Sequence, residues 1–237
     1  PCRSDARKIR RAACPERRNH AYPWRMAKTL DYHTIREIFT RFQDAEAEPK
    51  GELDHTNVYT LLVAVALSAQ ATDAGVNKAT KSLFEIVEHP QQMLDLGLEG
   101  LTEHIKTIGL FRQKAKNVMK LSQILVDDYD GVVPNSRASL QSLPGGGRKT
   151  ANVVLGNAFG KEEGVVVDTH LGRISNHLRL TRQKDPVKVE QDLMKVVPRD
   201  EWTLISHLLI RHGRKTCRAR KPDCASCPVS AECPSAL

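Results

Sequence analysis

The sequence predicts an all-α protein, and three observations carry the prediction. Apolar residues recur at three- and four-residue steps in one segment after another. No stretch alternates with period two over the length of a strand, and prolines, glycines and capping residues separate the periodic segments at helix-like intervals. The chain has 237 residues, 40% hydrophobic and 27% charged. That is the balance of an ordinary globular protein, and a chain of this length buries about 70% of its unfolded surface. Its longest apolar run, Leu61–Leu67, is far short of the ~20 residues of a membrane span, and no apolar leader is recognisable. An intracellular protein with no membrane partner is expected.

The formal net charge is +8, which invites a nucleic-acid reading, but its distribution matters. Eight of the 36 Lys and Arg, and only Asp5 and Glu16 of the 28 acidic residues, lie in residues 1–27, so the remainder carries a net of +2. Residues 1–27 also hold Pro15 and Pro23 without an amphipathic period, the composition of a basic disordered tail. Met26 is an alternative start. The case for nucleic acid therefore rests on local clusters such as 211–221, with six Lys/Arg and no carboxylate before a run of cysteines.

Taking the elements in order, Tyr32, Ile35, Ile38, Phe39 and Phe42 form one face of a helix over 31–43. A polar connector, 45–56, follows, with Thr56 as the expected cap of the next helix. That helix, 58–69, is apolar on nearly every face. Its length and its alanines, Ala64, Ala66 and Ala69, favour a buried helix over a buried strand. Further helices are expected over 74–87, 98–108, 112–129, 137–143, 149–159, 170–178, 187–196 and 201–212, with Asp185-Pro186 marking the start of the penultimate one. Val165–Val167 is too short to argue for a sheet.

Between two of these helices stands Leu143-Pro144-Gly145-Gly146-Gly147-Arg148-Lys149-Thr150-Ala151. Proline stops the first helix, and the glycines leave the backbone bare where the second begins. Amide groups exposed at a helix N-terminus form an anion site suited to a DNA phosphate, which makes Gly145, Gly147, Arg148 and Thr150 candidate contacts. The same segment also fits a plain glycine-rich turn. Near the C-terminus, Cys217, Cys224, Cys227 and Cys233 put four thiols within seventeen residues. Disulfides are improbable in a reducing compartment, so a four-thiolate metal site is indicated. Spacing alone leaves zinc and iron–sulfur both open. Cys2 and Cys14 fit no ligand pattern.

The hairpin, together with Leu67-Ser68-Ala69-Gln70-Ala71-Thr72-Asp73, Ile108-Gly109-Leu110, Val167-Asp168-Thr169-His170 and the cysteine run, resembles the endonuclease III family of DNA glycosylases from about residue 30 to 233. The resemblance implies two helical domains with the active cleft between them: a six-helix barrel over 51–161 containing the helix–hairpin–helix, and a cluster domain formed by 28–50 with 162–237. It implies a bifunctional enzyme that removes oxidised pyrimidines from double-stranded DNA and cleaves the abasic site by β-elimination. Lys149 would be the nucleophile, and its ammonium must lose a proton to attack. The helix N-terminus, Arg148 and partial burial are each expected to favour that loss. Asp168 would stabilise the positive charge on the sugar, or cap a helix, or both.

Gln70 and Leu110 would fill the gap left by an extruded base, and His170 would lie against the DNA. The four cysteines would hold a [4Fe–4S] cluster that shapes the 218–223 loop, so that Arg220 and Lys221 meet the phosphates. A monomer in the cytoplasm or nucleoid follows. The family usually places a branched apolar residue where Gly146 stands, and a third glycine predicts a freer hairpin. An adenine-type glycosylase is disfavoured by Lys149 and by the short stretch after Cys233. A non-catalytic DNA-binding module is disfavoured by the pairing of Lys149 with Asp168.

Overall fold

The computed structural model describes residues 30–46, 49 and 51–236. The basic tail expected over 1–27 lies outside them. Ten α-helices and one 3-10 turn make up the regular structure of the described residues, which hold no strand, as the periodicity predicts.

Helix α1 (Tyr32–Ala45) begins where the Asp31 carboxylate accepts the Thr34 amide, and it buries Ile35, Ile38, Phe39 and Phe42. Helix α2 (Val58–Leu67) is capped by Asn57 rather than by Thr56. The Asn57 side chain accepts the Thr60 amide while the Thr60 hydroxyl accepts the Asn57 amide, a reciprocal pair that satisfies two otherwise orphaned donors. Every residue of α2 from Tyr59 to Leu67 is buried. This is why its sequence is apolar all round: α2 is a central post that touches α3 (Asp73–Phe84), α5 (Phe111–Tyr129) and α7 (Arg148–Phe159). With α4 (Pro90–Ile105) and α6 (Arg137–Ser142) these helices enclose a first core running from Tyr59 to Leu155.

Helix α4 begins eight residues before the expected position and kinks at Gly97, whose φ is +75°. In its first half only Pro90 and Met93 are buried, too few to produce a legible period.

The second core joins α1 to α8 (Thr169–His177), α9 (Pro186–Val196) and α10 (Trp202–Lys215), the last entered through a 3-10 turn at Arg199–Glu201. Residues 165–167 cross between the cores without forming a sheet, and the Val166 amide donates to the Ser206 hydroxyl at 2.8 Å. Helix α10 touches both α8 and α7, so it belongs to one core and borders the other. The cleft opens along this seam.

Candidate active site

Residues 143–146 close a turn in which Pro144 is second, Gly145 is third with φ +79°, and the Gly146 amide donates to the Leu143 carbonyl at 2.8 Å. Proline then glycine with positive φ is the chemistry of a type II turn. Gly147 caps α7 with no side-chain hydrogen bond, so the first amides of the helix remain open to an anion. Thr150 is buried and its hydroxyl reaches back to the Gly145 carbonyl at 3.5 Å.

At Gly146 a Cβ would stand 2.1 Å from the Leu140 carbonyl oxygen and 2.8 Å from that of Leu143, so the backbone is closely packed here and a side chain would require it to shift.

Lys149 is the second residue of α7, and Asp168 caps α8. Both line one cavity of about 640 Å³ between the two cores. Asp168 is half-buried, and its Oδ1 accepts the His170 and Leu171 amides, each at 2.8 Å. Both bonds end on a single oxygen, so the cap and a role in the cleft are compatible.

Two of the expected influences on Lys149 are corrected. The side chain is exposed rather than partly buried. The Arg148 guanidinium is turned away into an ion pair with the buried Glu190 carboxylate, which also accepts from Asn152, so its positive charge is largely offset.

Gln70 and Gly109, the residue before Leu110, approach each other. A Cβ on Gly109 would lie 3.9 Å from the Gln70 carbonyl oxygen. Gln70 and Leu110 hold left-handed backbone, at φ +54° and +58°, and Leu110 is 63% exposed. His170 is half-buried on α8, with Nδ1 3.5 Å from Arg173 Nη2.

The basic run 211–221 divides in two. Its first part is structural: Arg211 and Lys215 pair with Glu46, and one Arg214 nitrogen reaches both Glu52 and Asp73, the latter at 2.7 Å. Arg214 thus fastens α10 to the loop before α2 and to the first turn of α3, across the cleft. The sequence assigns no role to Glu52 or His55 and places Arg214 only in the basic run; Glu52, His55, Asp73 and Arg214 all line the cavity, and the signal for Asp73 is its place in the 67–73 motif. Arg218, Arg220 and Lys221 are exposed.

Cys217, Cys224, Cys227 and Cys233 line one small cavity, and all four are free thiols. No three of the His, Cys, Asp and Glu side chains among the described residues stand close enough to hold a single metal ion; the four thiols instead surround a common space. Burial pushes the Cys217, Cys227 and Cys233 thiols up, so they keep their protons until a cation replaces them. The loop between the first two cysteines is closed by the Asp223 amide on the Thr216 carbonyl at 2.9 Å. It is tied to α8 by Arg173, which donates to the Cys217 carbonyl at 2.6 Å.

Comparison with known proteins agrees with this geometry. The family model for the HhH-GPD superfamily of base excision DNA repair proteins matches residues 63–199. Endonuclease III of Haemophilus influenzae is 50% identical over 197 residues, covering 83% of this chain and 93% of its own. Endonuclease III of Bacillus subtilis is 50% identical over 205 residues, covering 86% and 93%. A solved structure of a trapped endonuclease III–DNA covalent intermediate superposes with a TM-score of 0.82 at 44% identity, over 87% of this chain and 97% of that one. With the hairpin, the two cores and the shared cleft in the same order along the sequence, the chain belongs to the endonuclease III family within the HhH-GPD superfamily.

Proposed function

We propose that the protein is a bifunctional base-excision glycosylase and abasic-site lyase acting on oxidised pyrimidines in duplex DNA, inside the cell. The observation that carries this reading is the convergence of Lys149 and Asp168 on one cleft between two helical cores. The open amides of α7 and the exposed Arg220 and Lys221 take phosphates. Extruding a base costs a few kcal/mol, and Gln70 and Leu110 enter the vacated space, the first hydrogen-bonding the estranged base and the second stacking as an apolar plug.

Lys149 Nζ, deprotonated, attacks the sugar C1′. The bond from C1′ to the base breaks, and the base leaves with the electron pair and a proton. The sugar ring opens to a Schiff base, loss of a C2′ proton expels the 3′ phosphate, and water releases the lysine. Asp168, held in place by two amides, stabilises the positive charge on the sugar and accepts the lysine proton.

Cys217, Cys224, Cys227 and Cys233 are the ligand set for a [4Fe–4S] cluster, whose contribution is to staple the 218–223 loop into its phosphate-binding shape. Borohydride trapping on abasic duplex tests the central claim. Wild-type protein should form a covalent adduct that Lys149→Ala abolishes, and Asp168→Asn should bind DNA yet trap slowly. Absence of any adduct from wild type would leave only a DNA-binding module.

A further inference from the structure

The cleft holds a polar side chain whose ring is held through one nitrogen and that the reaction does not use. His55 lies in the loop before α2 and lines the same cavity as Lys149 and Asp168. Its Nδ1 is 2.9 Å from the Leu53 carbonyl oxygen. A carbonyl can only accept, so Nδ1 is the donor of this bond, and in the Nδ1–H tautomer Nε2 is an acceptor. The loop is pinned on both sides of the ring. Asn77 of α3 donates to the Glu52 carbonyl at 2.8 Å and accepts the Asp54 amide at 3.0 Å. Arg214 holds the Glu52 side chain, and Asn57 donates to the Glu88 carbonyl at 3.0 Å. His55 is exposed, yet its backbone and its ring orientation are set in advance.

Several other polar side chains of the cleft are already engaged. Glu52 and Asp73 share Arg214. Asn157 accepts from the His207 ring at 2.8 Å, and Ser68 donates to the Val65 carbonyl at 2.9 Å. Lys149 is reserved for the sugar. His55 differs from these in having a ring held through Nδ1 on a pinned loop.

We propose that His55 reads the extruded base, accepting a hydrogen bond from a ring N–H or exocyclic amine of the damaged pyrimidine. This inference rests on the glycosylase reading above and names the group that recognises the substrate of that reaction.

The test uses single-turnover excision of 5,6-dihydrouracil and of its N3-methyl analogue from duplex DNA, by wild type, His55→Leu and His55→Gln. Wild type should favour the N3–H lesion by about tenfold or more, the worth of one hydrogen bond to a preorganised acceptor. His55→Leu should bring that ratio close to one, and His55→Gln, which offers an amide oxygen, should restore part of it. Cleavage at a preformed abasic site, which has no base to read, should fall about tenfold less than excision does. An unchanged lesion ratio in His55→Leu, or equal loss on lesion and abasic substrates, would overturn the proposal. Wild-type protein inert on both substrates would instead remove the glycosylase reading on which it stands.

Discussion

Arg214→Met cuts a side chain that joins three segments across the cleft. In the structure a single Arg214 nitrogen contacts Glu52 and Asp73, whose side chains are 36% and 19% exposed. The Glu52 contact is solvated enough to contribute under 1 kcal/mol, whereas the more sheltered Asp73 contact should contribute about 1.5 kcal/mol as a charge-assisted bond. Asp73 is not left entirely stranded, because it sits in the first turn of α3, where the helix end favours a negative charge. The sum is a loss of about 2 kcal/mol, which for a chain of this size is about 4–8 °C in Tm.

Stability alone does not isolate the contact, so the assay is a double-mutant cycle of Arg214→Met with Asp73→Asn by denaturant unfolding, with a coupling of about 1 kcal/mol or more expected. Asp73 follows the Thr72 cap and stands three residues from Gln70, so loosening it should also slow base excision more than it weakens binding to undamaged duplex. A coupling below about 0.3 kcal/mol, within the additivity of independent sites, would refute the claim that this ion network holds the cleft together.

Three further outcomes are expected. Gly146→Val meets backbone oxygens at 2.1 and 2.8 Å, so the turn must shift to admit it; because the family usually carries a branched residue here, the cost should stay within about 1–3 kcal/mol, as a lower Tm in a melting curve would show. Lys114 is 6% exposed and its Nζ has no hydrogen-bond partner among the described residues, so Lys114→Met should gain about 1 kcal/mol in chemical denaturation. Burial lowers the Lys114 pKa, so below about 10.4 the unfolded chain binds more protons than the folded one. Wild-type stability should therefore rise relative to Lys114→Met as pH climbs from the folded pKa to the unfolded one. Leu110→Gly should keep or raise Tm while base excision falls; a lower Tm would show that Leu110 is part of the packing.

The helices were legible in the sequence because each buries one stripe or, for α2, its whole surface. Ile35, Ile38, Phe39 and Phe42 all fall in the second core, and the apolar run after Asn57 became the post of the first. Lys149 and Asp168 were legible only through motifs, since neither periodicity nor charge says that two residues nineteen positions apart share a cavity. Other features needed coordinates for definite physical reasons. Arg211 and Arg214 looked like part of a DNA-facing cationic run because their carboxylate partners, Glu46, Glu52 and Asp73, are more than a hundred residues away in sequence. The burial of Lys149 was overestimated because the lysine opens a helix at the rim of the cleft. His55 escaped notice because a lone histidine in a polar connector carries no pattern; its value comes from a carbonyl two residues back.

The Gln70–Leu110 pair shows how the fold and the reaction divide their demands. A non-glycine residue in left-handed backbone costs roughly 1–2 kcal/mol, and here there are two, at φ +54° and +58°, where Gly109 approaches the Gln70 carbonyl. Glycine would relieve the strain at either position, and at Leu110, 63% exposed, it would forfeit little packing. Folding therefore does not require these side chains, and stability acts against them. The backbone conformation itself is set by neighbours on both sides: α2 ends in a C-terminal turn at Ser68 before Gln70, and α5 starts immediately after Leu110. Two rigid helix ends thus hold two disfavoured residues, and Ser68, two residues before Gln70, lines the cleft that contains the lysine. A strained, exposed, apolar side chain and a strained amide are poorly explained by the free protein, but they are well suited to a duplex from which one nucleotide has been withdrawn.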